Sequence, residues 1–461
     1  MEHFRASNGT VEMELESMRP WRFIIILCVS ACVHEAPQEA QIPFASQASP
    51  LIVEPTESGI LEIELEASQL ENSPNRLLKY GFNQMSPGPV LLAPVGTELR
   101  ATLVNQLEMP TTLHWHGAGA PNTMDGTPRV QDPVLPGETF QYEFTLSNPG
   151  TFWYHPHFDT ARQVDLGLYG MVIVYEPSEP QPDERLVLVF DSAAENQPRE
   201  MIDDHRHIDG HGMHWLINGS TKDTFEVSSG AVVRAHLLNA SNAGYLHLNS
   251  EGMRVIAHDQ GYQGTVHDGP LVLGPGDRAE VEWLPGADPI LVDHRPFSLN
   301  GGVTYMPEET LFSLVPLGDA PAASPSAMPV STPEYKDYWT TKSADFTYVF
   351  HGDSRTNSWM LNGESFPDVT PFRTNVGREV IIEVRNLSST NHPFHTHGHP
   401  FKVVSRNGNP VDPRNLHDTI DVAIFETMRL VVNTYNPGEW MVHCHILPHA
   451  YAGMMTYMIV E

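Results

Sequence analysis

Four His-x-His units punctuate the chain: His114-Trp-His116, His155-Pro-His157, His395-Thr-His397 and His443-Cys-His445. On an extended strand, residues i and i+2 project to one face. Each unit can therefore present two imidazoles toward one place, and eight imidazoles together could hold several metal ions. Neutral imidazole suits copper, zinc, iron and nickel, so the histidines alone do not choose the metal. Cys444 does. It sits between His443 and His445 and so points to the opposite face, with His392 upstream and His449 and Met454 downstream. Two histidines, one thiolate and a weak axial methionine form a blue-copper electron-transfer site. One strand would then bind a copper through its sulfur and a metal cluster through the two covalent neighbours. A lone His-x-His is more often a polar surface strand than a ligand pair, but four such units, one enclosing a cysteine, do not read that way. A structural zinc site, which commonly takes several cysteines, is poorly served.

The elements that must position these residues are short strands. No long stretch has helical periodicity, and alternating or β-branched runs recur between Gly, Pro, Asn and Asp. Such runs fall at 60–65, 98–104, 139–144 and 170–175, again at 186–190, 232–238 and 279–283, and again at 379–384, 428–432 and 454–460. The 461 residues suggest about three domains. The reading is all-β, with Greek-key sandwich or barrel domains over 48–178, 184–318 and 337–461. A leader and tether occupy 1–47, and a linker rich in Pro, Ala and Ser occupies 319–336. Leu216-Ile-Asn-Gly219 recurs as Leu361-Asn-Gly363, and Val104-Asn105 parallels Leu238-Asn239 and Arg385-Asn386, which fits repeated modules.

Aspartate plus glutamate outnumber lysine plus arginine 57 to 26, a net charge of −31 with histidine neutral. That balance excludes a nucleic-acid partner, because phosphate binding needs a basic face, and it favours cationic or neutral small substrates. Of three cysteines, Cys28 and Cys32 lie in the leader, so the folded body keeps Cys444 and forms no internal disulfide. A basic start at Met18-Arg-Pro-Trp-Arg22 precedes an apolar run over 23–33 that is too short to span a bilayer. It reads as an export signal with translation starting at Met18. Val29-Ser-Ala-Cys32 has the small residues before a cysteine that mark a bacterial lipoprotein signal. The expectation is a periplasmic or cell-surface protein anchored through lipidated Cys32, with ordinary signal cleavage nearby as the alternative.

His114-Trp-His-Gly117, Trp153-Tyr-His-Pro-His157, His392-Pro-Phe-His-Thr-His-Gly398 and His443-Cys-His-Ile-Leu-Pro-His449 with Gly453-Met454 resemble the motifs of the multicopper oxidase family. The resemblance is to its bacterial three-domain, laccase-like and cuprous-oxidase members, and it runs from about Leu51 to the C-terminus. It implies three cupredoxin-like domains and four copper ions per chain. Carried over by motif, type 1 copper takes His392, Cys444 and His449 with Met454 axial. Type 2 copper takes His114 and His395. One type 3 copper takes His116, His155 and His445, the other His157, His397 and His443. The implied activity is one-electron oxidation of phenols, aromatic amines or low-valent metal ions such as Cu(I), Fe(II) or Mn(II), coupled to four-electron reduction of dioxygen to water. A monomer is expected, its partners being the reductant and O2. In the implied cycle His449 receives the electron, and Cys444 passes it on through His443 and His445.

The resemblance also implies that Asp125, in Met124-Asp-Gly-Thr-Pro128, aids proton delivery; a turn aspartate before glycine is the plainer reading. Many bacterial relatives carry a glutamate where this chain has Ala450, which leaves the second relay open, with Asp418, Asp421 or water as substitutes. His205-Arg-His-Ile-Asp-Gly-His-Gly-Met-His214 reads as a solvated loop or an extra copper site. No dense methionine stretch of the cuprous-oxidase kind is present. Three other functions compete: copper storage or carriage, copper nitrite reduction, and a structural homologue that has lost copper. The full histidine set opposes the last two.

Overall fold

The computed structural model describes residues 51–72, 78–194, 213–221, 224–295, 308–328, 332–353 and 356–461. The leader with Cys28 and Cys32 lies outside the described residues, as does all of the 205–214 stretch except its last two positions. Among the described residues, strands assemble into six sheets, two from each of three successive stretches of chain. The all-β expectation holds. Among the described residues the α-helices Thr160–Asp165, Tyr338–Thr341 and Leu447–Tyr451 are six residues long or shorter. None is long and apolar enough to cross a membrane.

Strands alternate where one face is wet. Glu98–Asn105 turns Leu99, Ala101 and Leu103 into the first core and leaves Glu98, Arg100 and Thr102 partly exposed. The strands that carry the histidine pairs do not alternate. Gly150–His155 is buried at every position. Its Phe152 and Tyr154 pack into the first core, while Trp153 joins a cluster with Val90, Val189, Leu238 and Leu447. That cluster draws on all three stretches, so the strand is covered on both faces.

The weak sequence repeats are structural ones. Each stretch contains a parallel pair: Ile60–Gln69 with Glu98–Asn105, Glu184–Ala194 with Val233–Asn239, and Phe346–Asp353 with Glu379–Asn386. The asparagine ending the second strand of each pair, Asn105, Asn239 or Asn386, is fully buried. Its amide donates to two backbone carbonyls, and its oxygen accepts the backbone N–H two residues on. It thereby satisfies backbone groups that a buried loop would otherwise leave unpaired. Asn218 and Asn362, at φ 51° and 54° and each followed by glycine, turn equivalent hairpins. Asn83 at φ 55° does the same in the first stretch. Its follower is Gln84, so the motif is not visible there.

Two registers place the candidate ligands. His114–His116 pairs antiparallel with Gly150–His155, setting His114 opposite His155. His392–Thr396 pairs with Gly438–Cys444, setting His395 opposite His443 and Phe394 opposite Cys444. In the segment expected to be a linker, Met328 is buried and its sulfur lies 3.8 Å from Arg234 Nη2 of the middle stretch.

Candidate metal centres

Around the sulfur, three ligand atoms converge. His392 Nδ1 lies 3.3 Å from Cys444 Sγ. His449 Nδ1 lies 3.7 Å from the same sulfur and 3.3 Å from His392 Nδ1. His392 donates its Nε2–H to Ser388 Oγ at 2.6 Å, which leaves the Nδ1 lone pair facing the sulfur. His449 arrives on the short helix Leu447–Tyr451, which Pro448 helps to start. The Trp359 ring stacks on it at 3.6 Å and 24°. Met454 is fully buried beside the site, and its carbonyl accepts the Cys444 N–H at 3.2 Å. Burial pushes the Cys444 thiol well above its ordinary range. The sulfur can become a thiolate here only with a cation beside it.

On the other face of the same strand, the four His-x-His units meet. His157, His397 and His443 bring one nitrogen each within 4.8 Å of one another, as do His114, His116 and His155, and His114, His395 and His397. The His397 and His443 Nε2 atoms are 3.2 Å apart. His116 stacks on His395 at 3.8 Å, and His114 on His397 at 3.9 Å. The His445 ring centroid is 5.1 Å from that of His116 and 5.8 Å from that of His155.

Hydrogen bonds on the outer side of the rings decide which nitrogen faces inward. Nδ1 donates to the carbonyl of Asp125 from His114, of Pro156 from His155, of Asp418 from His395 and of Cys444 from His443, each at 2.9 Å. His397 Nδ1 donates to Asp125 Oδ2 at 2.9 Å. The Nε2 atoms of His114, His155, His157 and His395 then have no hydrogen-bond partner among the described residues, and neither ring nitrogen of His445 has one. His116 is reversed: its Nε2 faces Asp418 Oδ1 at 3.0 Å, and its Nδ1 is the unpartnered atom. Buried polar atoms without partners are rare, and so many converging lone pairs fit metal ions. Burial first, then the neighbouring rings, hold His116, His155, His157, His395, His397 and His445 well below the ordinary histidine range. Burial alone takes His449 down to about 3, and burial chiefly takes His443 to about 4. These rings are therefore neutral at physiological pH, the form in which an imidazole can bind a metal.

Asp125 occupies the turn the sequence allowed, and its carboxylate also faces the histidine rings. It follows the 3-10 turn Asn122–Met124 and precedes Gly126, at φ +75°, where a Cβ would fall 2.1 Å from the Leu113 carbonyl oxygen. Its carboxylate also binds His397 and lies 3.2 Å from His114 Nδ1. Ala450 lines a cavity of about 260 Å3 together with His157, His443 and Asp159. Neither residue considered as a substitute for the usual glutamate lines that cavity. Asp418 lies against His116. Asp421 lies on the sulfur side, accepting from Tyr245 Oη and Asn391 Nδ2 at 2.7 Å each. Burial pushes Asp421 up to about 6. Sequence reasoning missed Ser388 and Trp359 beside the sulfur site. It also missed Arg278, Asp259 and Gln260 of the middle stretch, whose side chains reach Asp418 or its neighbours. Nearby, His399 accepts from the Asn436 N–H and His417 faces Asp259.

Two family models described as multicopper oxidase match residues 66–179 and 338–461, together just over half of the chain. The chain is 28% identical over 423 residues to multicopper oxidase MmcO of Mycobacterium tuberculosis, covering 81% of this chain and 82% of that protein. It is 28% identical over 398 residues to multicopper oxidase mco of Staphylococcus aureus, with the same coverage. Among solved structures, a multi-copper oxidase from Pseudomonas thermotolerans superposes with a TM-score of 0.71 at 28% identity, covering 90% of this chain and 100% of that one. The chain belongs to the multicopper oxidase family, enzymes that couple copper-dependent oxidation of a reducing substrate to the reduction of dioxygen.

Proposed function

We propose that the chain holds four copper ions: His392, Cys444 and His449, with Met454 beside them, would hold type 1 copper, His114 and His395 would hold type 2, and two type 3 ions complete the set. One type 3 ion takes His116, His155 and His445, and the other takes His157, His397 and His443. The observation that carries this reading is the convergence of unpartnered ring nitrogens, those of His114, His155 and His395 turned inward by a hydrogen bond on the far side of the ring. Bound copper supplies one-electron oxidation of the reductant and four-electron reduction of dioxygen to two waters. The chain's own residues place and insulate those ions. His449, half-buried where its two partner ligands are fully buried, marks the face on which the reductant docks. His443 and His445 are bonded to Cys444 through the backbone, so one strand serves both centres. Asp125 holds the His397 ring and supplies protons near it.

The reductant is a phenol, an aromatic amine or a low-valent metal ion. The net charge of −31 favours the cations Cu(I), Fe(II) and Mn(II). The decisive experiment counts copper per chain and measures oxygen uptake with a phenol, Cu(I), Fe(II) and Mn(II) in turn. Four coppers with uptake from at least one donor support the reading. Four coppers with no uptake from any donor would point to storage or carriage. Turnover of nitrite in place of oxygen would point to nitrite reduction. The chain further reads as an exported monomer held at a membrane surface through lipidated Cys32. Cell fractionation with a Cys32→Ala comparison tests the anchor, and light scattering tests the monomer.

A further inference from the structure

The motifs leave the middle stretch with no part in the metal centre, yet its turn Gly274-Pro-Gly-Asp-Arg278 is packed directly on two of the rings. Arg278 is fully buried. Its Nε donates to the Thr151 carbonyl of the first stretch at 2.9 Å, and its Nη1 to the Gly276 carbonyl of its own turn at 2.9 Å. Toward the last stretch it grips Asp418 with both arms, Nη1 to Oδ1 at 2.7 Å and Nη2 to Oδ2 at 2.5 Å. Asp259 Oδ1 stands 3.4 Å from Nη1, so two buried carboxylates flank one buried guanidinium. Gln260 Nε2 donates to Asp418 Oδ2 at 2.6 Å and to the Gly117 carbonyl at 3.0 Å. Asp418 Oδ1, so held, lies 3.0 Å from His116 Nε2, and Thr419 Oγ1, which donates to Asp418 Oδ1 at 2.9 Å, lies 2.9 Å from the same nitrogen.

The packing leaves no slack. Gly117 sits at φ +80°, and a Cβ there would fall 2.5 Å from Asp418 Oδ2 and 2.8 Å from Arg278 Nη2. Gly276 sits at φ +84°, and a Cβ there would fall 2.7 Å from the His445 ring. One turn of the middle stretch thus clasps His116 through Asp418 and abuts His445, the ring whose nitrogens have no hydrogen-bond partner among the described residues.

We infer that Arg278 is a positioning residue of the histidine cluster: it fixes Asp418, and Asp418 in turn holds the proton of His116 on Nε2 so that Nδ1 faces the metal. This rests on the ligand assignment proposed above. The opposite tautomer would let Arg278 Nη1, 3.0 Å away, donate to Nε2. It would also set a carboxylate oxygen against a lone pair and leave an N–H at buried Nδ1 without an acceptor, which costs about 1–3 kcal/mol. A guanidinium suits the task because its planar fork matches a carboxylate at two points, which an ammonium cannot do.

The test begins with metal-free protein labelled with 15N-histidine, in which long-range correlations report which nitrogen of each ring carries the proton. His116 is expected as the Nε2–H form and His114, His155 and His395 as the Nδ1–H form. A His116 protonated on Nδ1 in the parent overturns the inference without reference to copper. Arg278→Met and Arg278→Lys are then compared with the parent. Each is expected to lose the single His116 tautomer and to release cluster copper to a chelator about 10–100-fold more readily, with the blue absorption of the sulfur site retained. If the Met variant does not fold, the Lys variant decides. A folded variant with the parent's tautomer and the parent's chelator resistance overturns the proposal. Should the parent bind fewer than four coppers, the ligand assignment fails, while the metal-free spectra still judge Arg278.

Discussion

Replacing Asp125 with asparagine should loosen two copper positions together while leaving the sulfur site intact. The carboxylate accepts the His397 Nδ1–H at 2.9 and 3.1 Å and lies 3.2 Å from His114 Nδ1, whose main acceptor is the Asp125 backbone carbonyl. Asparagine keeps the shape and the backbone carbonyl but has one acceptor oxygen, and its amide hydrogens must face one of the two rings. A buried hydrogen bond to a charged group is worth about 1.5–3 kcal/mol and a neutral one about 0.5–1.5. The difference, about 1–1.5 kcal/mol, corresponds to roughly five- to tenfold in copper retention. Asp125→Ala removes the acceptor altogether and should approach a hundredfold. The assay is a chelator titration of copper-loaded protein with copper counted per chain. The blue absorption serves as internal control, because none of the hydrogen bonds around Cys444 involves Asp125. A folded Asn variant that holds copper as tightly as the parent would refute the orienting role. Oxygen uptake adds a second readout: if Asp125 also delivers protons, turnover of copper-complete variant falls further than copper retention does, and if it only orients, the two fall in step.

Cys444→Ser should abolish the blue absorption and substrate-driven oxygen uptake while the melting curve stays near the parent's, because serine keeps the shape and can still accept the Ile446 N–H that now reaches Sγ at 3.4 Å; persisting turnover would mean that electrons enter elsewhere. Ser388→Ala strips the acceptor from the buried His392 Nε2–H, a loss of about 1–3 kcal/mol, so a lower melting temperature and a shifted reduction midpoint of the blue band are expected, and no change in either would show that Ser388 is a bystander. Burial and then Glu280 push Glu179 up to about 7 from its ordinary 4.5. The native state therefore keeps a proton that the unfolded chain releases, and stability falls as pH rises between those values. Glu179→Gln should match the parent near pH 4 and melt above it at pH 8; parallel pH profiles would contradict this.

The convergence of these side chains was legible because its signal is local. A His-x-His unit on a strand needs no long-range information to aim two rings one way, and the single cysteine inside one unit assigns the opposite face. His449 was read from its motif only, because it stands on a helix, where strand parity says nothing. Parity could also have separated the two candidate relay aspartates. Asp418 and Asp421 are three apart across the strand Thr419–Val422 and so face opposite ways, one to His116 and one to Tyr245. Arg278 carried no such signal. A charged residue at the start of the strand Arg278–Trp283 reads as solvated, and it lies more than a hundred residues in sequence from both His116 and Asp418. Only the packing of three β stretches brings them together. Ala450 shows the converse limit: the missing glutamate was visible in the sequence, but the cavity beside it was not.

Register keeps the two centres distinct. Phe394 lies opposite Cys444 and His395 opposite His443 on neighbouring strands. His392 and Phe394 therefore share the sulfur's face, while His395 and His397 share the face of His443 and His445. Seven side chains on two strands and the residues that follow them are thus sorted onto two faces by odd and even position alone. A slip of one residue would exchange the faces, sending His395 and His397 toward the sulfur and His392 toward the cluster. The strand pair is held against such a slip by burial on both faces: every residue of His392–Thr396 is buried, as are Trp440, Met441, Val442, His443 and Cys444 of its neighbour. The core that stabilises this sheet is therefore also what enforces the chemistry, because no residue in the pair can change sides without leaving an apolar side chain in a metal site or an imidazole in the core.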